Sequence, residues 1–137
     1  MIKVIVGSKG SGKTARLVDD LNAHANMDNT NVVCIEAGQR LGQMVKYKIR
    51  LVDIKEYPVQ GYEQLLSFIA GICAKDYDVT HIYIDSITKI TDDRDLTHLD
   101  SFLTKLETFA EKEQIDVMIV LSAEPEHLPK GIVRFCS

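Results

Sequence analysis

The chain has few cysteines, no excess of basic residues, no long apolar run and no linker-like tract. Cys34, Cys73 and Cys136 are odd in number, far apart and set mostly in apolar stretches. That pattern argues against a disulfide framework or a zinc site, and for buried free thiols in a reducing cytoplasm. Sixteen Lys plus Arg against twenty Asp plus Glu leave a net charge of -4. A surface built mainly to neutralise nucleic-acid phosphates is therefore not supported, and only a local basic patch stays open for such a partner. The longest apolar runs, such as Val117–Leu121, have the length of a strand and fall far short of a bilayer crossing, so no membrane association is expected. Met1–Gly7 lacks the apolar core and small-residue cleavage site of an export signal. With no repeat, no low-complexity tract and no Gly-, Pro- or Ser-rich linker, residues 1–137 read as one domain, at 45% apolar and 26% charged an ordinary globule.

What is present is an alternation of two patterns. Runs rich in β-branched residues predict strands at 2–6, 31–36, 49–54, 80–85 and 117–122, with a weaker one at 132–135. Those around Val32, Ile82 and Val117 are almost continuously apolar, as in a parallel sheet covered on both faces. Between them the spacing turns helical. Leu17, Val18 and Leu21 form one apolar face, Tyr62, Leu65, Leu66, Ile69 and Cys73 a second, and Leu96, Leu99, Phe102, Leu103, Leu106, Phe109 and Ala110 a third. Strand and helix in alternation predict an α/β fold, a mainly parallel sheet of about five strands with helices on both faces.

The sharpest motif is Gly7-Ser8-Lys9-Gly10-Ser11-Gly12-Lys13-Thr14, a complete G-x-x-x-x-G-K-[ST] between a short strand and an amphipathic helix. Its glycines let successive backbone N–H groups turn inward as an anion nest, and the following helix adds the positive end of its dipole. In this reading residues 7–14 cradle the phosphates of a nucleoside triphosphate, Lys13 reaches the outer ones and the Thr14 hydroxyl ligates Mg²⁺. The strand His81-Ile82-Tyr83-Ile84 leads into Asp85, whose carboxylate at the edge above the phosphates would be the second Mg²⁺ ligand. Asp53 competes for that role but is expected inside its strand. Glu36 ends the run Val32–Ile35 and would position an attacking water, while Ser122 and Glu124 offer further polar groups at the same edge.

Those residues carry a resemblance. The Gly-rich loop, Glu36 at the end of the next strand, and Ile82-Tyr83-Ile84-Asp85-Ser86-Ile87 resemble the RecA-like P-loop ATPases, most closely the RecA, RadA and KaiC families. The likeness is specific at those three places and general over most of the chain. It implies a RecA-like P-loop NTPase fold, ATP and Mg²⁺ as ligands, Lys13 and Glu36 as catalytic groups, Thr14 and Asp85 on the metal, and a homo-oligomer or other protein partner. Family members often borrow a cation from a neighbouring subunit; Lys130 and Arg134 lie at roughly that place but read as a solvated face. Little chain follows the last strand, so DNA strand exchange is not expected.

Other classes lack their signatures. Thr88-Lys89-Ile90-Thr91 puts Asp92 one place too late for a guanine reader, and Arg16, Arg40, Arg50, Arg94 and Arg134 are scattered where a kinase lid would cluster them. His24, His81, His98 and His127 show no metal-ligand spacing. Lys46, Lys48 and Arg50 are expected on one face of a strand, as a solvated edge guarded against aggregation. Asp92-Asp93-Arg94-Asp95 reads as a loop and helix cap. The expectation is a slow, Mg²⁺-dependent ATPase. A nucleotide-dependent switch acting through a partner and a small-molecule kinase are the alternatives.

Overall fold

A computed structural model of the chain describes residues 1–136. Five of the six β-branched runs form strands, each within a residue or two of its expected limits: β1 (Ile2–Gly7), β2 (Val32–Glu36), β3 (Arg50–Asp53), β4 (His81–Ile84) and β5 (Asp116–Ser122). All pair in parallel, in the order β1-β5-β4-β2-β3. The helices are α1 (Lys13–Ala25), α2 (Gly61–Lys75), α3 (Ile87–Thr91), α4 (Leu96–Glu113) and α5 (Lys130–Val133).

The order of the strands explains the layers. From β1 through α1 to β2 the chain moves one way across the sheet, and from β3 through α2 and α4 it returns toward β1. Because parallel crossovers are right-handed, the outward and return connections lie on opposite faces. Side-chain alternation agrees. Ile5, Cys34, Tyr83 and Val120 pack with Leu17, Val18 and Leu21 of α1, whereas Val33, Ile35, Ile82, Ile84 and Ile119 pack with α2, α3 and α4. The reversal leaves a crevice at the carboxyl edge above β5, where open α/β sheets hold ligands. No helix among the described residues is long and apolar enough to cross a membrane.

Three local expectations are corrected. Residues 132–135 do not form a strand. Pro129 accepts from the N–H groups of Ile132 and Val133 at 3.0 and 3.1 Å and starts the one-turn helix α5, after which Cys136 makes only an isolated bridge to Val4. Lys46 and Lys48 do not share a strand face with Arg50, because β3 begins at Arg50 and the turn before it closes through Ile49 N–H to the Lys46 carbonyl at 3.0 Å. Asp53 ends its strand instead of lying within it: its carboxylate accepts from Lys55 N–H at 3.0 Å and caps the short 3₁₀ turn that follows. The cap before α4 is as expected, Asp95 accepting from Thr97 N–H at 2.9 Å.

Candidate functional site

The Gly-rich loop turns tightly because Ser11 N–H donates to the Ser8 carbonyl at 3.2 Å, with Gly10 and Gly12 at φ of +84° and +86°. Left-handed backbone of this kind is costly for any residue with a Cβ, and Gly12 at this φ leads directly into α1. Gly7 is closely approached: a Cβ there would stand 2.5 Å from Ser11 Oγ, so the hydroxyl would have to move. The loop folds over Lys13, leaving it only 7% exposed. Its Nζ donates to the Ser8 carbonyl at 2.6 Å and sits 3.4 Å from Ser11 Oγ. Among the described residues it has no carboxylate partner. A buried ammonium held only by neutral oxygens is a donor set that an anion would complete.

Thr14, the next residue, donates its hydroxyl to Asp85 at 3.0 Å across 71 positions of sequence. Asp85 N–H continues the sheet ladder to the Ile35 carbonyl at 3.0 Å, so its carboxylate follows Tyr83 onto the α1 face. Glu36 follows Cys34 onto that face by the same alternation, one strand over. Both carboxylates are 2% exposed. Together with burial, which is the larger effect, they raise the Cys34 thiol well above its ordinary range, so Cys34 stays a neutral packing group. Thr14 and Asp85 are hard oxygen donors of the kind Mg²⁺ takes alongside phosphate oxygens and water. Among the described residues no group of three or more His, Cys, Asp or Glu is placed to hold a metal by itself.

The hollow in front of the loop has a volume of about 610 Å³ and crosses the carboxyl edge from β1 past Ser122 of β5 and Ser86 after β4 to the loop after β2. Its lining carries five cations, Lys9, Lys13, Arg40, Lys89 and Arg94, and no carboxylate. Ser86 is held at φ +56°, a strained conformation for a non-glycine residue, at the turn from Asp85 into α3.

Not every anticipated residue meets there. Gly7–Thr14, Asp85 and Ser122 come together, but Glu36 borders an adjoining hollow of about 710 Å³ at the ends of β2 and β3. One Glu36 oxygen accepts from the N–H groups of Arg40 and Leu41 at 2.9 and 3.1 Å. Asp53 turns to Gly38 N–H at 2.8 Å, and Glu124 lines neither hollow. Arg134 forks onto Glu107 at 3.0 and 3.1 Å and lies 3.9 Å over the Phe135 ring, far from the loop in the fold. Arg40, Lys89 and Arg94 were not anticipated. Lys89 sits on the short helix α3, Arg40 and Arg94 are loop cations without periodicity, and the one available cue is that Arg40 and Arg94 follow soon after the strand-end acids Glu36 and Asp85. No model of a known protein family matches the chain, and no curated protein matches it significantly in sequence.

Proposed function

We propose that the hollow binds a nucleoside triphosphate with Mg²⁺, ATP in the first instance, and that the protein is a RecA-like P-loop ATPase of slow turnover. The observation that carries this reading is the Thr14–Asp85 hydrogen bond of 3.0 Å beside a buried Lys13 that lacks a carboxylate. Residues 7–14 cradle the phosphates with backbone N–H groups, and Lys13 turns from the Ser8 carbonyl to the outer phosphate oxygens. Thr14 and Asp85 would hold Mg²⁺, which when bound neutralises phosphate charge.

In hydrolysis the water oxygen bonds to the terminal phosphorus and the bond from that phosphorus to the β–γ bridging oxygen breaks. Glu36 orients the water and accepts its hydrogen bond. Its neighbouring amides hold the carboxylate in place, but it opens toward the adjoining hollow, which supports slow turnover in this arrangement. Arg40 borders both hollows, and the second is lined by Glu36, Asp53 and Glu56. That favours, as a second reading, transfer of the phosphoryl group to a hydroxyl-bearing small molecule.

Calorimetric titration with ATP and GTP, with and without Mg²⁺, tests the site. Lys13→Ala is expected to abolish binding. Asp85→Asn is expected to remove the gain from Mg²⁺ while leaving Mg²⁺-free binding in place. A folded wild-type protein without affinity for either nucleotide would refute the reading. Phosphate released to water and lost in Glu36→Gln supports the ATPase, phosphate appearing on an added polyol supports the transferase, and binding with no turnover supports a switch.

A further inference from the structure

We propose that the hollow at the ends of β2 and β3 binds a small aliphatic diamine, an organic cation with an ammonium group at each end of an apolar chain; the inference goes beyond the nucleotide reading and stands without it. Its basis is a pair of carboxylates. Glu36 and Asp53 are partners in the parallel register of β2 and β3, on strands about 4.8 Å apart. Both fall on the α1 face, as Cys34 and Leu51 do two residues earlier. They are held alike. One Glu36 oxygen accepts from the N–H groups of Arg40 and Leu41 at 2.9 and 3.1 Å, and one Asp53 oxygen from those of Gly38 and Lys55 at 2.8 and 3.0 Å. The second oxygen of each accepts from no group among the described residues.

Burial makes the free oxygen of Glu36 informative. The residue is only 2% exposed, and a carboxylate at that depth is costly unless donors complete it. Among the described residues no fully buried side-chain N or O atom lacks a partner, so this oxygen is not sealed in the core and opens into the hollow that Glu36 lines. Glu56 adds a third carboxylate, one of its oxygens accepting from Gln39 Nε2 at 3.2 Å. Arg40 is the one cation among the lining residues, and its guanidinium makes no ion pair with any of the three acids. Like charges gathered this closely repel one another. A cation that also carries N–H donors relieves the repulsion and completes the oxygens together.

An organic cation fits the hollow better than a metal ion does. Among the described residues no group of three or more His, Cys, Asp or Glu could hold a metal, so these acids do not converge on one point. A ligand of some length reaches them in turn. The walls between them include Met44, Leu51 and Tyr57, whose ring is 5.2 Å from that of Phe68 and leaves the residue 44% exposed. Such walls take a methylene chain, and an aromatic face attracts an ammonium group. The volume of about 710 Å³ accommodates a chain of several carbons. In the ATPase reading, a diamine takes the Glu36 oxygen that would orient water, and turnover slows.

The test is calorimetric titration of the nucleotide-free protein with 1,4-diaminobutane, 1-aminobutane, butane-1,4-diol, Mg²⁺ and Ca²⁺, at about 0.15 M salt to screen diffuse attraction. The diamine should bind one to one, the monoamine about tenfold more weakly, and the diol not at all. Glu36→Gln and Asp53→Asn should each lose about tenfold or more in diamine affinity, whereas Glu63→Gln, at a 92% exposed side chain on α2, should stay within about twofold. A folded wild type that ignores the diamine would overturn the inference, as would a diol that binds equally well. An equal loss in Glu63→Gln would reduce the effect to general attraction by an acidic protein and overturn it too. Tighter binding of Mg²⁺ or Ca²⁺, lost in the same two variants, would make this a metal site instead. If circular dichroism shows that Glu36→Gln does not fold, Asp53→Asn and Tyr57→Ala carry the test, the latter with an expected loss of about threefold. Because no nucleotide is present, none of these results bears on the nucleotide reading.

Discussion

Tyr83 donates its phenolic hydrogen to Asp20 at 2.6 Å, and the same hydroxyl lies 3.0 Å from His24 Nδ1. One buried side chain of β4 thereby ties down the middle of α1. These are the two elements whose carboxyl and amino ends carry Asp85 and Thr14, themselves joined at 3.0 Å. Burial first, and then the hydrogen bond to Asp20, push the Tyr83 ionisation far above the ordinary phenol range, so the group remains a donor. The helix is thus fixed to the strand at two points along its length, and its amino end cannot drift from Asp85 without straining the second attachment.

Tyr83→Phe keeps the ring and deletes the hydroxyl. The expected cost is about 1–2 kcal/mol, at the upper end for an ordinary hydrogen bond and the lower end for one to a carboxylate. Urea denaturation should show a lower midpoint at an unchanged slope. An unaltered midpoint would mean that the hydroxyl contributes nothing net and that apolar packing alone holds α1.

Gly7→Ala should destabilise the loop through one identifiable contact, since the new Cβ would stand 2.5 Å from Ser11 Oγ and 3.4 Å from Ser11 Cβ. Removing the Oγ leaves a tolerable neighbour. The double variant Gly7→Ala/Ser11→Ala should therefore recover most of an expected loss of about 1–3 kcal/mol, a coupling readable from a double-mutant cycle. Simple additivity of the two changes would mean that the loop relaxes some other way.

Why these features differ in legibility is physical. The Gly-rich loop is contiguous, so its spacing survives in the sequence as written. Thr14 and Asp85, 71 positions apart, are each announced by a separate local pattern, a glycine turn and an apolar strand ending in an acid. The five strands are legible because buried parallel strands are continuous β-branched runs. That same rule fails at Ile132 and Val133, where Pro129 starts a turn that composition does not weigh, and where Gly131 presses α5 against Asp100 of α4. The alternation expected of Lys46, Lys48 and Arg50 fails for a different reason, because a turn closes before the strand starts. Arg40, in the loop after β2, and Arg94, in the turn between α3 and α4, line one hollow because β2 and β4 are neighbours in the sheet, and that strand order is written only faintly, in the acids that end the two strands.

The pH dependence of stability should turn on His81. Its ring lies 4.3 Å from the ring of His24 and 6.5 Å from that of Tyr83. Nδ1 sits 2.8 Å from Thr80 Oγ1, and Nε2 is 3.7 Å from Asp116. Burial and then the nearby His24 lower its pKa below 6.5, outweighing the opposing pull of Asp116 and Asp20. For a base lowered in the folded state, protonation favours the unfolded chain, so this contribution is complete above about pH 6.5 and is lost as pH falls through the lowered value. His98 has the opposite sign: bonded to Asp93, it is raised above 6.5, and its contribution is present at lower pH and lost as pH rises through the raised value. It is also exposed, so screening makes its effect the smaller of the two. The wild type should thus lose stability between about pH 7.5 and pH 5.5, and His81→Gln should flatten that loss while His98→Gln steepens it slightly. Urea midpoints measured at the two pH values decide the matter, and an unchanged pH slope in His81→Gln would place the acid sensitivity elsewhere.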